Sequence, residues 1–120
     1  MESKTAIRAL SSLAHATRLA IFRLLVQAGT DGLAVGSIGE QLKLAPATLS
    51  FHLAALRHAG LVAARREGRV IYHVADYLAM NELVGYLSEN CCQGADCGVA
   101  ARVPVVNLKP SVTGKKTRTS

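Results

Sequence analysis

The stretch from Val35 to Ala59 constrains the fold of this chain more than any other. Val35, Ile38, Gly39 and Leu42 recur at the spacing of one helical face, and Pro46 opens a second run in which Leu49, Leu53 and Leu56 share a side. Lys43 and the Ala45-Pro46 step separate the two, because proline suits the first turn of a new helix. Gly60 marks the end of the second. Two short helices joined by a tight turn are the pattern of a helix-turn-helix, whose second helix reads the major groove of DNA. Ala47, Thr48, Phe51, His52 and Ala55 then fall on or beside the face away from the leucines. Thr48 and Ser50 are short enough to let the helix settle while hydrogen-bonding base edges or phosphates.

The flanks supply the rest of a small domain. Ala6, Leu10 and Leu13 predict an amphipathic helix from about Lys4 to Leu13. Thr17 is the expected N-cap of a second helix, in which Ile21, Leu24, Leu25 and Ala28 repeat before Gly29 and the Asp31-Gly32 turn. Residues 61 to 66 and 69 to 74 read as two strands around Glu67-Gly68, with Val70, Tyr72 and Val74 alternating. Arg65, Arg66 and Arg69 cluster at the tip of this hairpin, where long cations reach phosphates or a minor groove. Asp76 is placed to cap a last helix that buries Met80, Leu83, Val84 and Leu87 and ends near Asn90. The fold class expected is mainly α with a β-hairpin wing.

At 120 residues and half hydrophobic, the chain builds one small domain whose modest core would benefit from a partner subunit, so a dimer is expected. Arg18 and Arg23 interrupt the most apolar early segment, no run approaches the roughly 18 residues of a membrane span, and no secretory signal is recognisable. The net charge of +6 favours an anionic partner such as nucleic acid. Arg102, Lys109, Lys115, Lys116 and Arg118 account for most of it, and a basic, proline-containing end is commonly just solvated, so charge alone does not establish DNA binding.

Cys91, Cys92 and Cys97 are the only thiols. Adjacent cysteines rarely bridge each other, since a disulfide wants Cα atoms about 4.4 to 6.8 Å apart. Three soft ligands within seven residues suit a thiophilic ion; the alternative is a mobile end carrying reactive thiols. An odd cysteine count also fits a reducing cytoplasm. No nucleotide-binding loop, catalytic carboxylate pair or Ser-His or Cys-His constellation points to an enzyme.

The order helix, helix, helix-turn-helix, wing, helix resembles the ArsR/SmtB family of bacterial winged-helix repressors over about residues 5 to 92. The resemblance rests on Leu13-Ala14-His15-Ala16-Thr17-Arg18-Leu19, on Ala47-Thr48-Leu49-Ser50-Phe51-His52-Leu53, on Leu56-Arg57-His58-Ala59-Gly60-Leu61-Val62 and on Arg66-Glu67-Gly68-Arg69-Val70-Ile71-Tyr72-His73. It implies a winged helix-turn-helix over residues 1 to 92 that dimerises through its first and last helices and places two recognition helices on an inverted-repeat operator. The DNA contacts expected are Ala47, Thr48, Ser50, Phe51, His52 and Arg57 on the helix, with Arg65, Arg66 and Arg69 on the wing. Residues 93 to 120 are expected to form an inducer-binding loop and a disordered basic tail.

Two of the family's inducer sites are missing: Ala34 and Gly36 stand where arsenic-sensing members carry thiols, and no histidine lies between Asp76 and Asn90 to build a zinc site. Cys91, Cys92 and Cys97 resemble the C-terminal tricysteine site of a subset of arsenite-responsive members. Structural zinc normally takes four ligands, whereas As(III) or Sb(III), carrying a lone pair, is satisfied by three thiolates. The resemblance therefore implies a cytoplasmic, metalloid-released repressor of an arsenic-resistance operon. Cd(II), Pb(II) or Bi(III), thiol oxidation, and a metalloid-sequestering protein remain as alternatives. His15, His58 and His73 lack partners at ligand spacing and are expected to be surface or hydrogen-bonding residues; His52 either docks DNA or packs its helix against the third.

Overall fold

A computed structural model describes residues 1–94. Cys97 and the basic tail, with the expectations attached to them, lie outside the described residues. The chain divides into two units, Met1–Met80 and Asn81–Ser120.

The first unit carries the DNA-binding architecture. Helices α1 (Ser3–Leu13), α2 (Ala16–Ala28), α3 (Val35–Leu42) and α4 (Pro46–His58) precede the hairpin strands β2 (Val62–Glu67) and β3 (Val70–Ala75), and α5 (Tyr77–Leu87) begins here. A short strand β1 (Leu33–Ala34) pairs antiparallel with β3 through Leu33↔His73 and Ala34↔Tyr72, so the sheet order is β1-β3-β2. Two residues carry no alternation, which is why sequence periodicity does not show β1.

Ile21 and Leu25 of α2, Ile38 of α3, and Leu49, Leu53 and Leu56 of α4 are fully buried with Leu61. Burying side chains of this size contributes about 1.5–3 kcal/mol each. The close turn between α3 and α4 is made by Lys43, whose left-handed φ of 57° lets the Leu44 N–H reach the Gly39 carbonyl at 3.0 Å. Pro46 then starts α4 at a position where no amide donor is needed. Tyr77 fastens the start of α5, its hydroxyl donating to the Val26 carbonyl at 2.9 Å, and Asp76 caps the helix by accepting from the Ala79 N–H at 3.0 Å.

Two sequence expectations change. The N-cap of α2 is His15 rather than Thr17: its Nδ1 accepts from the Thr17 N–H at 3.2 Å. In α1 the buried face is Ala6, Ala9 and Ser12, while Ile7 and Leu10 are 60% and 41% exposed. Small residues on that face allow α1 to pack closely on α2 and α4.

In the second unit, of the α5 side chains expected in the core, Leu83 is buried and Val84 and Leu87 are exposed. The Ser88 hydroxyl donates to the Val84 carbonyl at 2.9 Å near the helix end, and a single 3-10 turn spans Cys91–Gly94.

Candidate functional site

The outer face of α4 is clear of the core and offers Ala47, Thr48, Ser50, Phe51 and Arg57 to solvent. This is the arrangement a recognition helix needs: a leucine stripe fixes its position, and small polar groups near its start approach base edges. Phe51 is 64% exposed, an unusual state for an aromatic ring, and the Arg18 guanidinium of α2 stands 5.7 Å from its centroid.

His52 does not belong to that surface. It is 6% exposed, its Nδ1 accepts from Arg18 Nε at 3.2 Å, and its ring lies 4.7 Å from that of His15. The side chain braces α4 against α2, rather than docking DNA or packing on α3. Its position follows from helical geometry, because residues 49, 52, 53 and 56 form one continuous stripe. Arg18 is a further residue that spacing alone did not single out.

The wing sorts its arginines by face. Arg65 is held in place: its Nε is 2.8 Å from Glu67 Oε2, an Nη reaches the Asp31 carbonyl at 3.0 Å, and its guanidinium lies 4.9 Å from the Tyr72 ring centroid. It stiffens the hairpin instead of reaching outward as expected. Arg66 donates to the Gly68 carbonyl of its own turn at 3.3 Å, and it and Arg69 are exposed at the tip.

Behind the tip, His73 is 2% exposed and its Nε2 lies 2.9 Å from Arg57 Nη1. Burial, and then the neighbouring Arg57 charge, hold its pKa below the ordinary 6.5. His52 is also lowered, by desolvation, His15 and Arg18 in that order. The unfolded chain therefore binds more protons than the folded one just below pH 6.5, and stability present above that pH is lost as pH falls. Thermal melts should show a falling midpoint from pH 7.5 to 5.5, and His73→Gln, which keeps an acceptor for Arg57, should flatten that slope; an unchanged slope would show that His73 does not contribute.

The thiols follow α5. Asn90 and Cys92 take left-handed φ values of 59° and 56°, and the Cys91 N–H donates to the Ser88 carbonyl at 2.9 Å. This turn brings Cys91 Sγ and Cys92 Sγ to 3.4 Å. Two sulfurs sharing one ion through bonds of about 2.3 Å at 90–110° stand about 3.3–3.8 Å apart, so the pair fits a chelate. Among the described residues no group of three His, Cys, Asp or Glu could hold a metal ion, and Cys97 lies outside them.

A helix-turn-helix with its leucine face buried, followed by an arginine-tipped hairpin, defines a winged-helix DNA-binding regulator. Residues 13–65 match a family model described as a helix-turn-helix domain. The nodulation protein NolR of Rhizobium meliloti is 33% identical over 97 residues, covering 81% of this chain and 75% of that protein. The homodimeric winged helix-turn-helix DNA-binding domain of Mb0332 from Mycobacterium bovis, a possible ArsR-family transcriptional regulator, superposes with a TM-score of 0.58 at 32% identity, covering 77% and 85% of the two chains. A possible transcriptional regulator for arsenical resistance superposes with a TM-score of 0.59 at 28% identity, covering 67% and 80%. The chain belongs to the ArsR family of winged-helix transcriptional regulators. No single helix among the described residues is long and apolar enough to cross a membrane.

Proposed function

We propose that the protein is a dimeric repressor of an arsenic-resistance operon, released from its operator when As(III) or Sb(III) is held by the thiolates of Cys91, Cys92 and Cys97. The observation that carries this reading is the 3.4 Å approach of the Cys91 and Cys92 sulfurs directly after α5. Likeness to the possible regulator for arsenical resistance supports it. Exposed apolar side chains support the dimer: Ile7 and Leu10 on α1, and Leu78, Val84 and Leu87 on α5, suit burial against a second copy.

Release must come from differential affinity. A ligand that weakens operator binding a thousandfold has to bind the free protein about 4 kcal/mol more favourably than the DNA-bound protein. Ligation that drew the segment after α5 inward would alter the dimerisation helices and thereby the separation of the two α4 helices.

Arsenite titrated onto reduced protein bound to the DNA upstream of its own gene should dissociate the complex. Each of Cys91→Ser, Cys92→Ser and Cys97→Ser should blunt that release while leaving DNA affinity unchanged. Full release of the variant lacking all three thiols by arsenite would overturn the assignment. A second reading, thiol-oxidation sensing in which Cys97 pairs with Cys91 or Cys92, draws on the exposure of Cys92; peroxide would then release the complex and arsenite would not.

A further inference from the structure

From Pro46 to Leu56 the recognition helix carries no Asn, Gln, Arg, Lys, Asp or Glu. These are the side chains that single out guanine, adenine or cytosine in the major groove, the best of them through paired hydrogen bonds. Thr48 and Ser50 are exposed, but a hydroxyl bonds to any base or to phosphate, and His52 is buried. Arg57 lies in the last turn, away from the end that reaches base edges, and its Nη1 is 2.9 Å from His73 Nε2. Discrimination between bases by the start of α4 is therefore left to apolar contact.

Phe51 is the apolar group placed for it, the one large apolar side chain exposed on α4. Ala47, one turn before it, and Ala54, one turn after, are also exposed, so no longer side chain on that stripe screens the ring. A helical side chain leans toward the helix N-terminus, which sets the ring over the Ala47 turn. Two neighbours hold it there. The Arg18 guanidinium stands 5.7 Å from its centroid, and the buried His52 ring meets it at 66° with centroids 5.4 Å apart. A ring held in this way loses little freedom on binding.

The apolar group that base pairs present in the major groove is the C5 methyl of thymine. We propose that Phe51 reads thymine: its ring packs on a C5 methyl of the operator, so that methyl contact rather than a paired hydrogen bond sets the base preference of α4. The ring is uncharged, so its contribution is separate from the phosphate contacts of the wing. Thymine reading rests on the operator binding proposed above and is independent of the thiols.

The test begins with the full chain selecting duplexes from a randomised library at fixed salt. The selected site should hold a thymine at which deoxyuridine, which lacks only the C5 methyl, weakens wild-type binding about fourfold, as expected for one buried methyl-sized group. Phe51→Ala should bind the thymine and deoxyuridine duplexes equally, with lower affinity for the thymine duplex and an unchanged slope of log affinity against log salt. Phe51→Leu, which keeps apolar bulk, should retain part of the preference. The ring is 64% exposed, so both variants keep the core intact. A selected site in which deoxyuridine costs nothing at any thymine, or costs as much in Phe51→Ala as in wild type, overturns the assignment of the ring alone. A library that yields no preferred sequence overturns operator binding itself, and thymine reading with it.

Discussion

Gly32→Ala should cost about 3 kcal/mol or more and lower the melting temperature by roughly 12 °C or more. Gly32 has φ +74°, and a Cβ there would meet the His73 carbonyl oxygen and stand 2.7 Å from Val74 Cγ2. Both neighbours belong to β3, whose backbone is held on its other side by β2, so neither can retreat cheaply. The strain falls on the residue just before β1, the strand that anchors the start of α3. Gly29→Ala is the control: its φ is +88°, but nothing lies within 4 Å of the added carbon, so it carries backbone strain without a clash. Chemical denaturation followed by circular dichroism separates the two, and a Gly32→Ala loss no greater than that of Gly29→Ala would show that the close approach to β3 is not a constraint.

The second large effect concerns the wing. Removing both exposed tip arginines, in an Arg66→Ala/Arg69→Ala variant, should weaken binding to duplex DNA roughly tenfold or more at physiological salt. It should also flatten the slope of log affinity against log salt by about 2 per protomer, one phosphate contact for each guanidinium. Arg65→Ala should leave the slope unchanged, because that guanidinium is engaged by Glu67, the Asp31 carbonyl and Tyr72. Its cost is expected in the stability of the hairpin, at about 1 kcal/mol or less. An Arg65→Ala slope that fell as far as that of either tip arginine would mean these contacts give way when DNA arrives. Titrations across a salt series measure all three variants.

Local chemistry made much of the fold legible. Helical periodicity from Ile21 to Ala28 and from Leu49 to Leu56, the Pro46 start and the Glu67-Gly68 turn each act over a few residues, and the helices and hairpin follow them within one or two positions. The expected leucines of α4 are in the core. Partners distant in sequence were not legible. His52 and Arg18 are 34 residues apart, as are Arg65 and Asp31, and no spacing rule connects them. The side on which a histidine or arginine is engaged depends on which element crosses above it.

The same division holds for the candidate sites. From the amino-acid order alone came the winged helix-turn-helix class, the row of short polar groups on α4, the basic hairpin and the adjacent thiols, because each is a property of residue type at short spacing. Tertiary structure alone decided that His52 faces inward, that Arg65 is tied back while Arg66 and Arg69 stay exposed, and that Arg18 of α2 stands beside the exposed Phe51 ring. Those outcomes depend on how helices and strands cross, and crossing is set by burial of the shared core rather than by any residue's immediate neighbours.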